Sequence, residues 1–177
     1  ALVLRAVREQ NLDASLLLFA SVLGPGDTSN GHMSQMLIDF IEGRLPASVR
    51  AGYNDFDIRD VADVLPAIVE RAKKGESYIF AHEPDSVDDV LKIAAERKKP
   101  PALPLWSAYL GIPFLWFAAK IRRKRPLYTA AALASLREDA DFPIAKTQQE
   151  FGYRPRPLEE TVRAHIQYLI DKGLVRL

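Results

Sequence analysis

The stretch Gly52-Tyr53-Asn54-Asp55-Phe56-Asp57-Ile58-Arg59-Asp60-Val61-Ala62 changes its hydrophobic period within a few residues, and that change sets the fold class. Phe56 and Ile58 alternate with Asp55, Asp57 and Arg59, the pattern of a short half-buried strand. From Val61 onward, Val64, Leu65, Ile68, Val69 and Ala72 recur at three- and four-residue steps, which predicts a helix with one apolar face. Asp60 or Asp63 is placed to cap it. With Asp63 as the cap, Pro66 falls near the first turn, where its missing N–H costs least.

The same rhythm extends on both sides. Residues 1–11 read as a helix closed by Asn11, already under way at Ala1 without a capping residue, so the chain is expected to be cut from a larger protein. Ser15 to Leu23 is a nearly continuous apolar run ended by Gly24-Pro25-Gly26-Asp27, as in a strand of a parallel sheet buried on both faces. Thr28 to Ser34 reads as a loop, and Met33, Met36, Leu37, Phe40 and Ile41 as a helix ending at Gly43. Beyond the central helix, Ser77 to Ala81 predicts a strand, and Ser86-Val87-Asp88-Asp89 a capping box opening a further helix. Alternating strands and helices define an α/β chain.

Composition narrows function. The 177 residues are enough for one domain with a real core, and the net charge of +1 gives no basic field for nucleic acid. Without cysteine there is no disulfide, thiolate nucleophile or cysteine-ligated zinc. His32, His82 and His165 have no metal-ligand spacing and read as surface or packing residues. Pro100 to Ala119 carries no charge and is rich in aromatics, and Lys120 to Arg125 follows it as a basic cluster. Four prolines in that run argue against one membrane-spanning helix and favour buried helices lining a lipophilic pocket.

Three segments, in order, carry a family resemblance. Asn54 to Ala62 resembles the strand-to-helix segment in the second half of the extended short-chain dehydrogenase/reductases, the NAD(P)-dependent epimerase/dehydratase and dihydroflavonol-reductase-like proteins. Val22, Gly24, Pro25, Gly26 and Asp27 resemble the end of that family's Arg-Pro-x-x-Val-x-Gly-Pro-Gly-Asp strand, with Leu18 and Phe19 in place of Arg-Pro. Lys146 to Thr161, through Glu150-Phe151-Gly152-Tyr153-Arg154-Pro155 and Leu158-Glu159-Glu160-Thr161, is similar to its last linker and terminal helix.

The resemblance implies one domain over 1–177: the C-terminal substrate-binding half, mostly helical with a few short, partly parallel strands. The glycine-rich dinucleotide loop is absent from this chain, and Tyr168-Leu169-Ile170-Asp171-Lys172, the one Tyr-x-x-x-Lys pair, lies on the terminal helix rather than at the family's catalytic position. No catalytic residue and no metal is therefore expected here. NAD or NADP is expected in the full-length parent and no cofactor for this chain alone. Phe19 and Val22 are the implied cofactor contacts; Ser21, Tyr53, Asn54, Trp106 and Tyr109 are the substrate-binding candidates, for a lipophilic carbonyl or alcohol. Expected partners are a small-molecule substrate, an N-terminal nucleotide-binding half and a second copy of the chain, in the cytoplasm. A non-catalytic binding module and a peripheral membrane protein are the alternative classes.

Overall fold

The computed structural model describes residues 2–45, 47–49, 52–94, 100–104 and 141–175. Helix α1 (Leu2–Glu9) leads into strands β1 (Leu16–Phe19) and β2 (Ser21–Leu23), followed by helix α2 (His32–Ile41). Short strands β3 (Ser48–Val49), β4 (Gly52–Tyr53) and β5 (Asp55–Asp57) precede helix α3 (Ile58–Arg71). Strands β6 (Ser77–Phe80) and β7 (Asp85–Ser86), helix α4 (Val87–Ala94), strand β8 (Ala102–Leu103) and helices α5 (Ala145–Phe151) and α6 (Leu158–Asp171) complete the described elements. The architecture is the α/β type with short, mainly parallel strand pairs that the sequence predicts.

The run from Ser15 to Leu23 is two strands, not one. Ala20 donates to the Phe80 carbonyl at 3.0 Å while Ser21 donates to that of Asn54 at 3.0 Å, so the backbone changes partner between adjacent residues. β1 pairs in parallel with β6, and β2 in parallel with β5. β3 pairs in parallel with β8, and β4 antiparallel with β7. Burial on both faces does not hold either: Leu18, Phe19 and Val22 are each more than two-fifths exposed.

The central junction also departs from its reading. The strand is wholly buried across Asp55, Phe56 and Asp57, and Ile58 begins the helix instead of ending the strand. Asp57 is the cap: its Oδ1 accepts from the Arg59 N–H at 2.8 Å, which neither Asp60 nor Asp63 is placed to do. Pro66 consequently lies inside α3. It and Ala62, whose carbonyl loses a helical partner, are both exposed, so water replaces that bond. Val61, Val64 and Ile68 are buried as the period requires, whereas Leu65 and Val69 face outward.

Two cores result. One gathers Leu37, Leu91, Val162 and Leu169 from α2, α4 and α6, each with 0% exposure. The Ser86–Asp89 box opens α4 as read, with Asp89 N–H to Ser86 Oγ at 3.2 Å and the Ser86 hydroxyl to Asp89 at 2.6 Å. The other core is aromatic, with Phe56, Tyr78, Phe80, Phe151 and Tyr153 packed beside α3. Phe80 and Tyr153 meet edge to face at 5.0 Å, and Tyr78 and Phe151 at 4.7 Å. Gly152, at φ 75°, ends α5 in the left-handed conformation and lets Phe151 and Tyr153 both enter that core. Tyr153 also donates its hydroxyl to the Ala81 carbonyl at 3.0 Å.

A Cβ at Gly152 meets nothing within 4 Å, so Gly152→Ala isolates the backbone term. The substitution is expected to lower stability by about 1 kcal/mol, read as a shift of the denaturant midpoint at constant slope.

Candidate functional site

A cavity opens at the carboxyl ends of the parallel strands β2 and β5, where α/β proteins characteristically bind ligands. Its volume is about 450 Å³. Ser21, Val22 and Leu23 form one wall, the loop through Gly24, Pro25 and Asp27 a second, and Met33, Ile58 and His165 the rest. Gly24 is required at this point. Its φ is 124°, and an added Cβ would stand 3.0 Å from Asp57 Oδ1.

Hydrogen bonds fasten the loop from within. Asp27 accepts from the Ser29 N–H at 3.0 Å, the Ser29 hydroxyl at 2.9 Å and the Gly31 N–H at 2.6 Å, and also from the Ser34 hydroxyl. Burial pushes the Asp27 carboxyl up, but the Ser34, Gly31 and Ser29 donors outweigh it and hold the group below its ordinary value. Ser34 Oγ also lies 2.9 Å from His165 Nε2, while His165 Nδ1 faces the Gly24 carbonyl at 2.6 Å. A carbonyl only accepts, so the ring carries a proton on Nδ1, and the single Ser34 hydroxyl proton can serve Asp27 or a neutral Nε2 but not both at once. Burial pushes the imidazole below its ordinary value, against the pull of the Gly24 carbonyl and of Asp27.

This Asp27–Ser34–His165 chain is not a nucleophilic triad. A triad places the carboxylate behind the imidazole so that the ring can take the serine proton. Here the carboxylate competes with the ring for that proton, and the far nitrogen is occupied by backbone. The chain ties α6 to the loop and shapes the pocket.

Below the pocket, Asp57 and Asp60 anchor two arginines. Arg59 reaches Asp57 through Nε at 2.9 Å and Nη2 at 2.6 Å. Burial raises the Asp57 carboxyl, and the Arg59 hydrogen bonds and charge bring it below its ordinary value. Asp60, 3% exposed, accepts from the Arg156 N–H at 2.9 Å and from its guanidinium, whose Nη2 also reaches Asp63 at 2.7 Å. Burial nevertheless leaves Asp60 above its ordinary value.

Of the residues singled out by sequence, Ser21 and Val22 line this cavity. Phe19 does not line it but lines a smaller apolar cavity with Leu18, Ala20, Ile79 and Phe142, with its ring 5.8 Å from Phe56 and 5.5 Å from Phe80. Tyr53 places its backbone in the β4–β7 pair. Asn54 is 3% exposed, and its side chain donates to the His82 carbonyl and accepts from the His82 N–H, both at 2.6 Å, stitching two loops together. Trp106, Tyr109 and the basic cluster lie outside the described residues. Tyr168 and Lys172 stack on α6, with the ammonium 5.7 Å from the ring centre. Sequence reading placed His165 among surface or packing residues and Ser34 at the end of a loop; the ring is buried, Ser34 lies in α2, and no local pattern announces their contact across 131 residues.

Comparisons with known proteins agree with this architecture. No family model matches the chain. A curated Synechocystis sp. protein, provisionally named dihydroflavonol 4-reductase, is 23% identical over 179 residues, covering 95% of this chain and 51% of its own length. The crystal structure of gox2253 is 29% identical with a TM-score of 0.78, covering 98% of this chain and 54% of that one. PA4631, a nucleoside-diphosphate-sugar epimerase from Pseudomonas aeruginosa, is 18% identical with a TM-score of 0.75, covering 99% and 53%. Bordetella bronchiseptica WbmF, solved with NADH, has a TM-score of 0.67 at 15% identity, covering 98% and 50%. The chain is thus similar in sequence to a reductase-named protein and in fold to solved epimerases, in line with the resemblance to extended short-chain dehydrogenase/reductases that its three motifs carry. It spans about half the length of the curated relatives it matches. No helix among the described residues is long and apolar enough to cross a membrane.

The lowered His165 value fixes the sign of a pH effect. Stability from the neutral ring is present above the unfolded value of 6.5 and is lost as pH falls below it. His165→Asn keeps a donor for Gly24 but does not titrate. The stability gap between wild type and this variant is expected to be widest near neutrality and to narrow on acidification, read from unfolding midpoints across the pH series.

Proposed function

We propose that this chain is the substrate-binding half of an NAD(P)-dependent epimerase, dehydratase or reductase, acting on a carbonyl or alcohol of lipophilic character. The observation that carries the reading is the cavity at the carboxyl ends of β2 and β5, next to an exposed apolar surface of Leu18, Phe19 and Val22. Complete burial of side chains of that size is worth roughly 1.5–3 kcal/mol each, and these three, less than half exposed, forgo a part of it. A covering nucleotide-binding half recovers that part and brings the cofactor's reactive face to the cavity mouth.

Val22, Leu23, Pro25, Met33 and Ile58 give the cavity its apolar walls, which supports a lipophilic substrate. Asp27 and Ser34 supply the few polar groups that would orient it. The proton-transfer pair and the dinucleotide phosphates' partners belong to the other half in this reading, so the chain's own contribution is binding and exclusion of water.

Titration of NAD(P)H into the natural full-length protein, followed by quenching of nicotinamide fluorescence, tests this against the isolated chain. Saturable binding is expected for the full protein alone, and Val22→Asp in it is expected to weaken binding by about tenfold or more. Equal binding by the isolated chain, or none by the full protein, overturns the reading.

A further inference from the structure

Behind the cavity wall lies a second pair of carboxylates that plays no part in the proposed function. Asp55 is 1% exposed at the start of β5, and its N–H donates to Asp85 Oδ2 at 3.1 Å. Both Asp55 side-chain oxygens and Asp85 Oδ1 are buried without a well-formed hydrogen bond. Neither carboxylate has a lysine or arginine ion-pair partner among the described residues. A buried carboxylate beside a half-buried one, with no lysine or arginine at hand among the described residues, is repelled by it, and a proton held on one of them removes that repulsion.

We propose that Asp55 and Asp85 share one proton and form a pH-sensitive latch that holds the β4–β7 pair against the cavity wall at Ser21. The connection is short. Asp55 pairs with Ser21 across the β2–β5 ladder, and Asp85 pairs with Tyr53 across β4–β7.

The groups facing the pair set its balance. Burial, and then Asp85, push the Asp55 carboxyl up to about 7, opposed by the Ser21 hydroxyl on β2 and by His82 in the segment after β6. Burial pushes Asp85 up to about 6, opposed by the Asp55 N–H and reinforced by Asp89 on α4. Both shifts are upward from an ordinary value of 3.8. Stability from the protonated pair is therefore fully present below about 3.8 and is lost as pH rises through about 7. Above that point the second ionisation drives the carboxylates apart and loosens the latch.

The test combines infrared spectroscopy with hydrogen exchange on the natural full-length protein. At pH 6.5, between the two values, the wild type is expected to show a protonated-carboxyl C=O band that Asp55→Asn largely removes. Corrected for intrinsic rates, protection of the amides in 52–57 is expected to fall about tenfold or more between pH 5.5 and 8, and Asp55→Asn to abolish that fall. Asp85→Asn retains an acceptor for the Asp55 N–H and leaves Asp55 buried, so it is expected to keep an acid band yet abolish the fall in protection, and it decides the matter should the first variant not fold. An absent acid band, or a fall in protection unchanged in the variants, overturns the proposal.

Discussion

Asp57 is the residue on which the described fold turns. With no exposure to water, it ends β5, caps α3 through the Arg59 N–H, and binds the Arg59 guanidinium with both oxygens. Its carboxylate also sits where a side chain at residue 24 would project, so the loop after β2 approaches only because Gly24 has none. A buried anion is tolerated when every lone pair is engaged and a counter-charge is adjacent, and both conditions are met here. The strand end, the helix start and the close approach of the loop after β2 thus meet at one side chain.

Around that point the molecule separates two kinds of packing. The aromatic core is filled by rings meeting edge to face and is closed by Tyr153, whose hydroxyl finds the Ala81 carbonyl. The aliphatic core clamps α2, α4 and α6 together. The cavity lies where the second group meets the strand ends, and His165 crosses from α6 to the loop at that seam. Rigid walls on one side and an exposed apolar surface on the other suit a half-site completed by a second domain.

Polar burial divides the acids by what faces them. Asp57 and Asp27 meet donors or a guanidinium and are held ionised, whereas Asp55 and Asp85 meet each other and are pushed toward the neutral form. The residue type is the same in every case, and its electrostatic surroundings decide its charge.

The sequence by itself determined the elements whose signals are local. Helical spacing placed Val61, Val64 and Ile68 on the buried face of α3, the Ser86–Asp89 box marked the start of α4, and the three motifs carried the family resemblance. Hydrophobic period and turn chemistry act over a few residues, so they are readable without a partner. Only the tertiary structure decided that Ser15 to Leu23 splits at Ala20, because the split comes from two separate partner strands, β6 and β5. It likewise chose Asp57 over Asp60 or Asp63 as the cap, and it brought Asp27, Ser34 and His165 together across the length of the chain. Contacts between distant residues depend on how the elements pack, and a single chain of letters carries no local record of that packing.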